Sequence, residues 1–494
     1  MGLSLEGHKV ISAKEMKRVE KLSIDEGACD ETYMLKAGEG IAARVEAFIK
    51  ENRLEKTVTL LVGKGNNGGD AFVAGTFLLN RGYEVEAYHM VSTKESSPLC
   101  QKQEKAFLSA GGEVKRGKEL SFKGVILDGL LGTGFQGKLE DKMAEVIQKA
   151  NRSKLPILAI DIPSGVDGNT GDIDPIAIEA KETIFLGLPK LGFFLKEGYN
   201  AIGKLRGVDF GMDVRFIHEA KAAAHLLNEK MVPELLPPIK RNRHKYQAGY
   251  VIALAGSPGM PGAAMLSCLA ALRTGAGIVR LFHPKGMEGE LTTSPYELIR
   301  TSYEWGDTSQ IFEEAKRASV ALIGPGMGKL EEMHAFVQKV VMALEIPCVI
   351  DADALFHLKM FPQGAILTPH HQEMSILLGS QTLSQEACQQ FVDLHQVTVV
   401  LKGAPTWVYH PHKLPLIIPV GDPGMATAGT GDVLTGMIAA LVAQKLKGRE
   451  AATLAVYLHG LAGERAAQEK TSYSIIATDL IAALPAAFQR LLSQ

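Results

Sequence analysis

The residues of this chain best suited to chemistry are acids at the ends of glycine-rich loops. Gly421-Asp422-Pro423-Gly424-Met425-Ala426-Thr427-Ala428-Gly429-Thr430-Gly431-Asp432 runs into the apolar stretch Val433 to Leu441. A helix opening at about Asp432 leaves the amides of Gly429 to Gly431 without intrahelical partners, an anion hole suited to a phosphoryl group in transfer. Asp432, at the same helix start, is placed to accept the proton of an attacking hydroxyl. Leu401-Lys402-Gly403-Ala404-Pro405-Thr406 ends the β-rich run Val397 to Leu401 and brings a cation and further amides to phosphate. Glycine turns also follow apolar runs at Ile323 to Gly328 and Ala255 to Gly262, and Thr368-Pro369-His370 follows Ala365 to Leu367 in the same manner. The pairs His370-His371 and His410/His412 lack a third ligand at a zinc-binding spacing, so no zinc site is expected.

The first half carries a different set. Val58 to Val62 leads into Gly63-Lys64-Gly65-Asn66-Asn67-Gly68-Gly69-Asp70, with a helix expected from about Ala71. Backbone amides at such a helix start can cradle phosphate. The loop is neither a P-loop nor a GxGxxG dinucleotide fingerprint. Two more loops follow apolar runs: Leu127-Asp128-Gly129-Leu130-Leu131-Gly132-Thr133-Gly134-Phe135 and Asp161-Ile162-Pro163-Ser164-Gly165-Val166-Asp167-Gly168. Together they offer carboxylate, amide, hydroxyl and carbonyl oxygens, which suit a hard cation.

These loops need strands to hold them. From Thr57 onward, short apolar runs such as Val125 to Leu127 and Ile157 to Ile160 alternate with longer amphipathic stretches, the pattern of βαβ units and a mostly parallel sheet. Ligands of such sheets bind at the carboxyl ends of the strands, where the loops lie. Residues 12 to 50 read as helices, with Met16, Val19 and Leu22, then Met34, Leu35, Ile41, Val45 and Phe48 at helical spacing. The alternation lapses between Asp213 and Lys245, where a helix-like stretch, Glu219 to Asn228, precedes Pro233, Pro237, Pro238 and the basic run Lys240 to Lys245. It resumes at Tyr250 to Ala255. The expected fold is α/β with two three-layer domains: residues 1–215, a boundary over 216–240, and residues 241–494.

Composition narrows the classes. With 494 residues the chain exceeds one ordinary core. Its 53 basic and 55 acidic residues give a net charge of -2, which argues against nucleic acid or an anionic membrane as a general partner. Five scattered cysteines suggest reduced thiols and a cytoplasmic setting. Met1 to Lys14 contains no apolar signal-peptide core, and no stretch approaches the length of a membrane span.

The combination NNGGD, LDGLLGTGF and DIPSGVDG resembles the NAD(P)H-hydrate epimerase family over residues 10 to 212, a Rossmann-like domain. That resemblance implies substrate binding by Asn66, Asn67, Gly68, Gly69 and Asp70, and by Gly132, Thr133, Gly134, Phe135, Gln136, Gly137 and Lys138. It implies Asp161 as the acid/base that interconverts hydrates at C6 of the nicotinamide ring, and K+ held by Asn67, Asp128 and Ser164. Lys64 and Ala71 depart from the family's usual small residue or proline and glycine; both lie outside these catalytic and ion positions. The family also includes non-catalytic scaffold domains, from which the retained Asp161 and ion ligands separate this chain.

From residue 240 to 490 the motifs GAAMLSCLAALRTGAGIV, IGPGMG, TPHHQEM, LKGAPT and GDPGMATAGTGDVLTG resemble the ribokinase-like ADP- or ATP-dependent NAD(P)H-hydrate dehydratases. The resemblance implies nucleotide binding by Lys402, Gly403, Ala404, Pro405 and Thr406 and by Asp422, Pro423, Gly424, Met425, Ala426, Thr427, Ala428, Gly429, Thr430 and Gly431. Ala263, Gly326, His370 and Asp432 would contact the hydrate. His371-Gln372 replaces a common Pro-Gly beside His370. Mg2+ and ADP are the expected cofactor and co-substrate, ADP because fused two-domain forms resemble the ADP-using type. The partners expected are small molecules, with a homo-oligomer as the assembly. The competing expectation is a small-alcohol kinase carrying a non-catalytic N-terminal binding domain.

Overall fold

A computed structural model describes residues 4–116, 119–328, 332–379 and 383–493. The chain divides into a first compact unit, His8–Ala224, and a second made of Met1–Gly7 with His225–Gln494. The sequence reading placed residues 1–215 in the first domain. Leu5 is instead buried with Leu227, Val232 and Leu235 in the core of the second unit, which explains why the start of the chain belongs there.

The first unit is built on seven parallel strands among the described residues. Their spatial order is Glu113–Lys115, Glu84–His89, Thr57–Val62, Val125–Gly129, Ile157–Ile160, Glu182–Leu186 and Lys204–Val208. Strand alternation decides which side chains meet which helices. Val58, Leu60 and Val62 join the core formed with helices Asp30–Glu51 and Asn66–Asn80. Leu61, Ile126, Ile157 and Ala159 face Val146, Ile147 and Ala150 of helix Asp141–Arg152. The result is three layers. From Thr57–Val62 the chain first builds outward on one side and then returns to build on the other, so the switch point lies between Thr57–Val62 and Val125–Gly129. The two strand ends touch there: a Cβ on Gly63 would stand 1.8 Å from the Leu130 carbonyl oxygen, so only glycine fits.

Eleven strands among the described residues form the sheet of the second unit. Ile278–Pro284, Tyr250–Leu254, Val320–Ile323, Cys348–Ile350, Ile366–Leu367 and Thr398–Leu401 run parallel. The antiparallel strands Thr406–His410 and Lys413–Ile418 follow. Its switch point lies between Tyr250–Leu254 and Val320–Ile323. One face carries helices Pro261–Arg273, Thr430–Ala443, Gly448–Lys470 and Ala477–Leu492 through a single apolar cluster. On the other, Ile252, Leu254, Ala321 and Ile323 meet Ile311, Val340 and Leu344. Gly436 lets two of these helices approach backbone to backbone, since a Cβ there would lie 2.0 Å from the Ser267 carbonyl oxygen.

Two sequence expectations are corrected. The first long helix after Thr57–Val62 begins at Asn66, not Ala71. Gly68 and Gly69 therefore lie in its first turn, pressed against Gly63 and Met34, where side chains would collide. The stretch Glu219 to Asn228 is not a helix: a short helix ends at Glu219 and Ala224–Leu227 is a strand. That strand gains its hydrogen bonds from Glu6–Val10 and Lys413–Ile418, pairings about two hundred residues distant that local periodicity cannot register.

Candidate active sites at two sheet switch points

In the first unit the three loops converge around Leu131. The Asp128 carboxylate accepts from the Ser164 hydroxyl at 2.7 Å and the Ser164 amide at 2.8 Å. The Ser164 hydroxyl oxygen in turn accepts from the Leu131 amide at 2.9 Å. Asn67 donates its amide to the carbonyls of Leu131 at 2.7 Å and Ile160 at 3.2 Å. Asp128, Asn67 and Ser164 are all buried, and burial pushes the Asp128 carboxyl up to about 6 against the hydrogen bonds that favour its charge. A buried carboxylate with hydroxyl, amide and carbonyl groups around it has the donor chemistry of a hard-cation site. The Asn67 amide nitrogen, bonded to two carbonyl oxygens, occupies the kind of position a cation would take.

The expected substrate-binding residues border this cluster. Asn66 accepts from the Ser97 hydroxyl at 2.9 Å, and a Cβ on Gly132 would touch Asn67 at 3.3 Å. Thr133 and Phe135 are half-buried, while Gly134, Gln136, Gly137 and Lys138 are exposed. Asp70 is buried, and burial together with the charges of Asp161 and Glu20 holds its carboxyl well above the usual carboxylate range.

Asp161 sits at the end of Ile157–Ile160 with φ of 62°. This left-handed conformation is uncommon for a residue other than glycine and is typical of functional sites. Its Oδ1 accepts from the Leu186 amide at 3.2 Å and from the ammonium of Lys190, which is wholly buried and also donates to the Leu186 carbonyl at 3.0 Å. Sequence reasoning missed Lys190. Its only signal was a lone lysine in an otherwise apolar run, Leu186 to Leu195, where a charge is almost never buried unless paired. It also missed Lys17 and Glu20 of helix Ala13–Asp25, which read simply as an amphipathic surface.

The second unit assembles its site from five loops. A Cβ on Gly326 would meet the Ala263 Cβ at 3.2 Å, so these two predicted hydrate contacts are neighbours. Lys402 is bridged to His370 in parallel fashion and donates its amide to Pro369 O at 2.9 Å. His370 caps helix His371–Leu377, accepting from the Glu373 amide at 3.2 Å. His371, which departs from the family pattern, abuts Gly403. Thr406 closes the following turn by donating to the Gly403 carbonyl at 3.1 Å, across a cis Ala404–Pro405 peptide.

Helix Thr430–Ala443 opens after Gly429, whose φ is 92° and which has no side-chain cap, so the amides of the first turn face outward from the helix start. Gly431 lies 3.4 Å, by its would-be Cβ, from the Lys402 ammonium. The preceding loop is locked: Asp422 accepts from Gly424 N at 2.8 Å and from the Ser472 hydroxyl at 3.0 Å, and Thr430 donates to the carbonyls of Met425 and Thr427, each at 3.0 Å. Pro423–Met425 form a single 3-10 turn, and Ala426 to Ala428 lead from it to Gly429. His459, pushed down to about 4 by burial and therefore neutral, is 3.0 Å from the Thr430 carbonyl and donates to it.

Electrostatically the centre turns on Lys402. It bonds Asp351 at 2.8 Å and stands 3.8 Å from Glu373. Burial opposes its charge, but Asp351, Glu373 and Asp432 outweigh burial and raise its pKa. Asp351 is buried and also accepts from Thr435 Oγ1 at 2.6 Å. The Asp432 carboxyl is pushed up to about 7, first by burial and then by Asp351, with Lys402 pulling the other way. Sequence reasoning missed Asp351, Glu373, Thr435 and His459. Asp351 carried the same signal as the acids it found, following the apolar Val349-Ile350.

Among the described residues no helix is long and apolar enough to cross a membrane, and no group of three or more His, Cys, Asp or Glu side chains is arranged to hold a metal ion. The five cysteines are free thiols.

Known proteins place these sites in a family. The family model described as YjeF-related protein N-terminus matches residues 30–192, and that described as NAD(P)H-hydrate dehydratase matches residues 251–486. A bifunctional NAD(P)H-hydrate repair enzyme of Moorella thermoacetica is 31% identical over 507 residues, covering 96% of each chain. The counterpart from Coxiella burnetii is 32% identical over 477 residues, covering 94% of this chain and 96% of its own. That of Thermofilum pendens is 30% identical over 519 residues, covering 98% and 97%. Near-complete coverage by relatives of 30% identity or more, with one family model on each half of the chain, identifies this protein as a member of the bifunctional NAD(P)H-hydrate repair enzymes.

Proposed function

We propose that the chain restores hydrated NADH and NADPH in two steps at two separate centres. The first unit epimerises the R and S hydrates at C6. The second dehydrates the S-hydrate at the expense of ADP, releasing AMP and phosphate. In the first centre Asn66 to Asp70 and Gly132 to Lys138 bind the substrate, Asp161 handles the proton at C6, and Asn67, Asp128 and Ser164 hold K+. A potassium ion held by these residues would supply fixed positive charge to the centre.

In the second centre Lys402 to Thr406 and Asp422 to Gly431 take the nucleotide, and Ala263, Gly326, His370 and Asp432 take the hydrate. Hydroxide is a poor leaving group. Asp432 accepts the proton of the C6 hydroxyl as that oxygen attacks the terminal phosphoryl, and the amides at the start of Thr430–Ala443 with the Lys402 ammonium receive the charge that develops. Phosphate then departs, driven by the ring nitrogen lone pair, and loss of the C5 proton restores the dihydropyridine. Magnesium carried on nucleotide phosphates needs only one or two carboxylates, and Glu373 and Asp432 both face Lys402. Mg2+ would neutralise phosphate charge.

The observation that carries this reading is the grouping of Lys402, Gly431 and an Asp432 pushed up to about 7, a general base poised at working pH. The test is to incubate the protein with S-hydrate and ADP. AMP and phosphate in equal amount with NAD(P)H support it. A stable phosphorylated substrate would favour the kinase reading instead. Small-molecule traffic in the cytoplasm completes the proposal.

A further inference from the structure

Asp161 offers its centre one free oxygen. Oδ1 is taken by Lys190 and the Leu186 amide, while Oδ2 has no partner among the described residues. Yet epimerising a carbon that bears a hydroxyl takes two proton transfers on opposite faces of the ring. The hydroxyl must leave one face with a proton, and water must lose a proton as it adds to the other. A single carboxylate, ion-paired from behind, serves one face.

Helix Ala13–Asp25 supplies a second acid. Met16 and Val19 are buried in one apolar cluster with Ile11, Leu188 and Phe210. This turns Lys17 and Glu20, one helical turn apart, toward the same side. The Lys17 ammonium comes within 3.8 Å of where a Cβ on Gly134 would stand, in the proposed substrate loop. The Glu20 carboxyl lies within the electrostatic reach of Asp161, Lys190 and Lys17, and Asp70 within that of Glu20 and Asp161. The Glu20 backbone carbonyl accepts from the Ser23 hydroxyl, and among the described residues its carboxyl has no hydrogen-bond or ion-pair partner. It lies outside residues 30–192, the segment matched to the epimerase-type family.

We propose that Glu20 is the acid partner of Asp161 in the epimerase centre. Resting on the reading of Asp161 given above, the step runs as follows. Glu20 gives its proton to the C6 hydroxyl, the C6–O bond breaks, and water leaves as the ring nitrogen lone pair forms a C6=N1 iminium. Water adds to the opposite face, a new C6–O bond forms, and Asp161 takes the released proton. One proton has moved from Glu20 to Asp161, and the opposite epimer, reacting in reverse, returns it. Burial and the Asp161 charge push the Glu20 carboxyl up to about 7, against the pull of Lys190 and Lys17, so it carries a proton where Asp161 is ion-paired. This is the divided pair of carboxyls that acid–base enzymes use.

The test measures interconversion of the two epimers by the full chain without nucleotide, as a function of pH. Glu20→Gln should slow it by about 10²- to 10⁴-fold and erase the decline of the wild-type rate above about pH 7. Glu20→Asp, which keeps a carboxyl in case the amide perturbs the helix, should retain that decline and recover part of the rate. Interconversion by Glu20→Gln within about threefold of wild type, or with the decline intact, overturns the proposal. Asp161→Asn distinguishes failures: if it too leaves interconversion unchanged, the reading of the whole centre falls rather than the role of Glu20 alone.

Discussion

Asp161 follows the strand Ile157–Ile160 and Asp432 follows a glycine-rich turn, each with a lysine nearby, but the two lysines are spent differently. In the first unit Lys190 contacts Asp161 itself. In the second, Lys402 turns to Asp351 at 2.8 Å, and Asp351 raises the Asp432 carboxyl that Lys402 would lower. A carboxylate paired directly with a cation is stabilised in its charged form, whereas one that only shares a site with another carboxylate is discouraged from ionising. The same two residue types thus build an ion-paired group in one centre and a group titrating near neutrality in the other. Burial raises the Asp432 carboxyl first and Asp351 second, so a lysine in the site does not by itself keep that acid charged.

The largest effect expected from this contrast is in rate. Asp432→Asn should lower dehydration by about 10²- to 10⁴-fold while leaving interconversion of the epimers unchanged; parallel loss of both activities would break the separation of the centres. Next, Lys190→Met strands Asp161 in a buried setting and should cost the first unit about 3–5 kcal/mol, measured by denaturant unfolding. A variant as stable as wild type would show that the pair is not structural.

A smaller effect follows from linkage. Asp432 has its folded-state pKa raised from 3.8 to about 7, so its unfavourable contribution is absent below about pH 4, grows between about pH 4 and 7 and is complete above that. Asp432→Asn should therefore match wild-type stability at low pH and exceed it at pH 8, with a ceiling of about 4 kcal/mol. Smallest is a shift in profile. Wild-type dehydration should climb to a plateau above about pH 7 as Asp432 loses its proton. Asp351→Asn frees Lys402 to face Asp432 and should move that rise down by about one pH unit. An unmoved rise would mean that Lys402 stays fixed by other contacts.

Much of this was legible along the chain because strand-end loops in parallel sheets declare themselves locally. The runs at Val125, Ile157 and Tyr250 all became strands; Asp128 lies near the end of strand Val125–Gly129, Asp161 just after Ile157–Ile160, and Asp432 in the first turn of a helix. The start of helix Asn66–Asn80 was misjudged by five residues. Glycines normally weaken a helix, but here Gly68 and Gly69 are required by close packing on Gly63 and Met34. Ala224–Leu227 owes its strand to distant partners. Asp351 and Lys190 carried a local signal beside apolar runs, whereas the surroundings of Glu20 and His459 come from other elements and leave no mark in spacing.

The most direct test of the central claim supplies the protein with both hydrate epimers, magnesium, potassium and either ADP or ATP, and follows the near-ultraviolet absorbance of reduced nicotinamide. Two working centres predict complete recovery of that absorbance with ADP. Recovery that stops at the fraction initially present as one epimer would contradict the epimerase centre, and no recovery with either nucleotide would contradict the dehydratase.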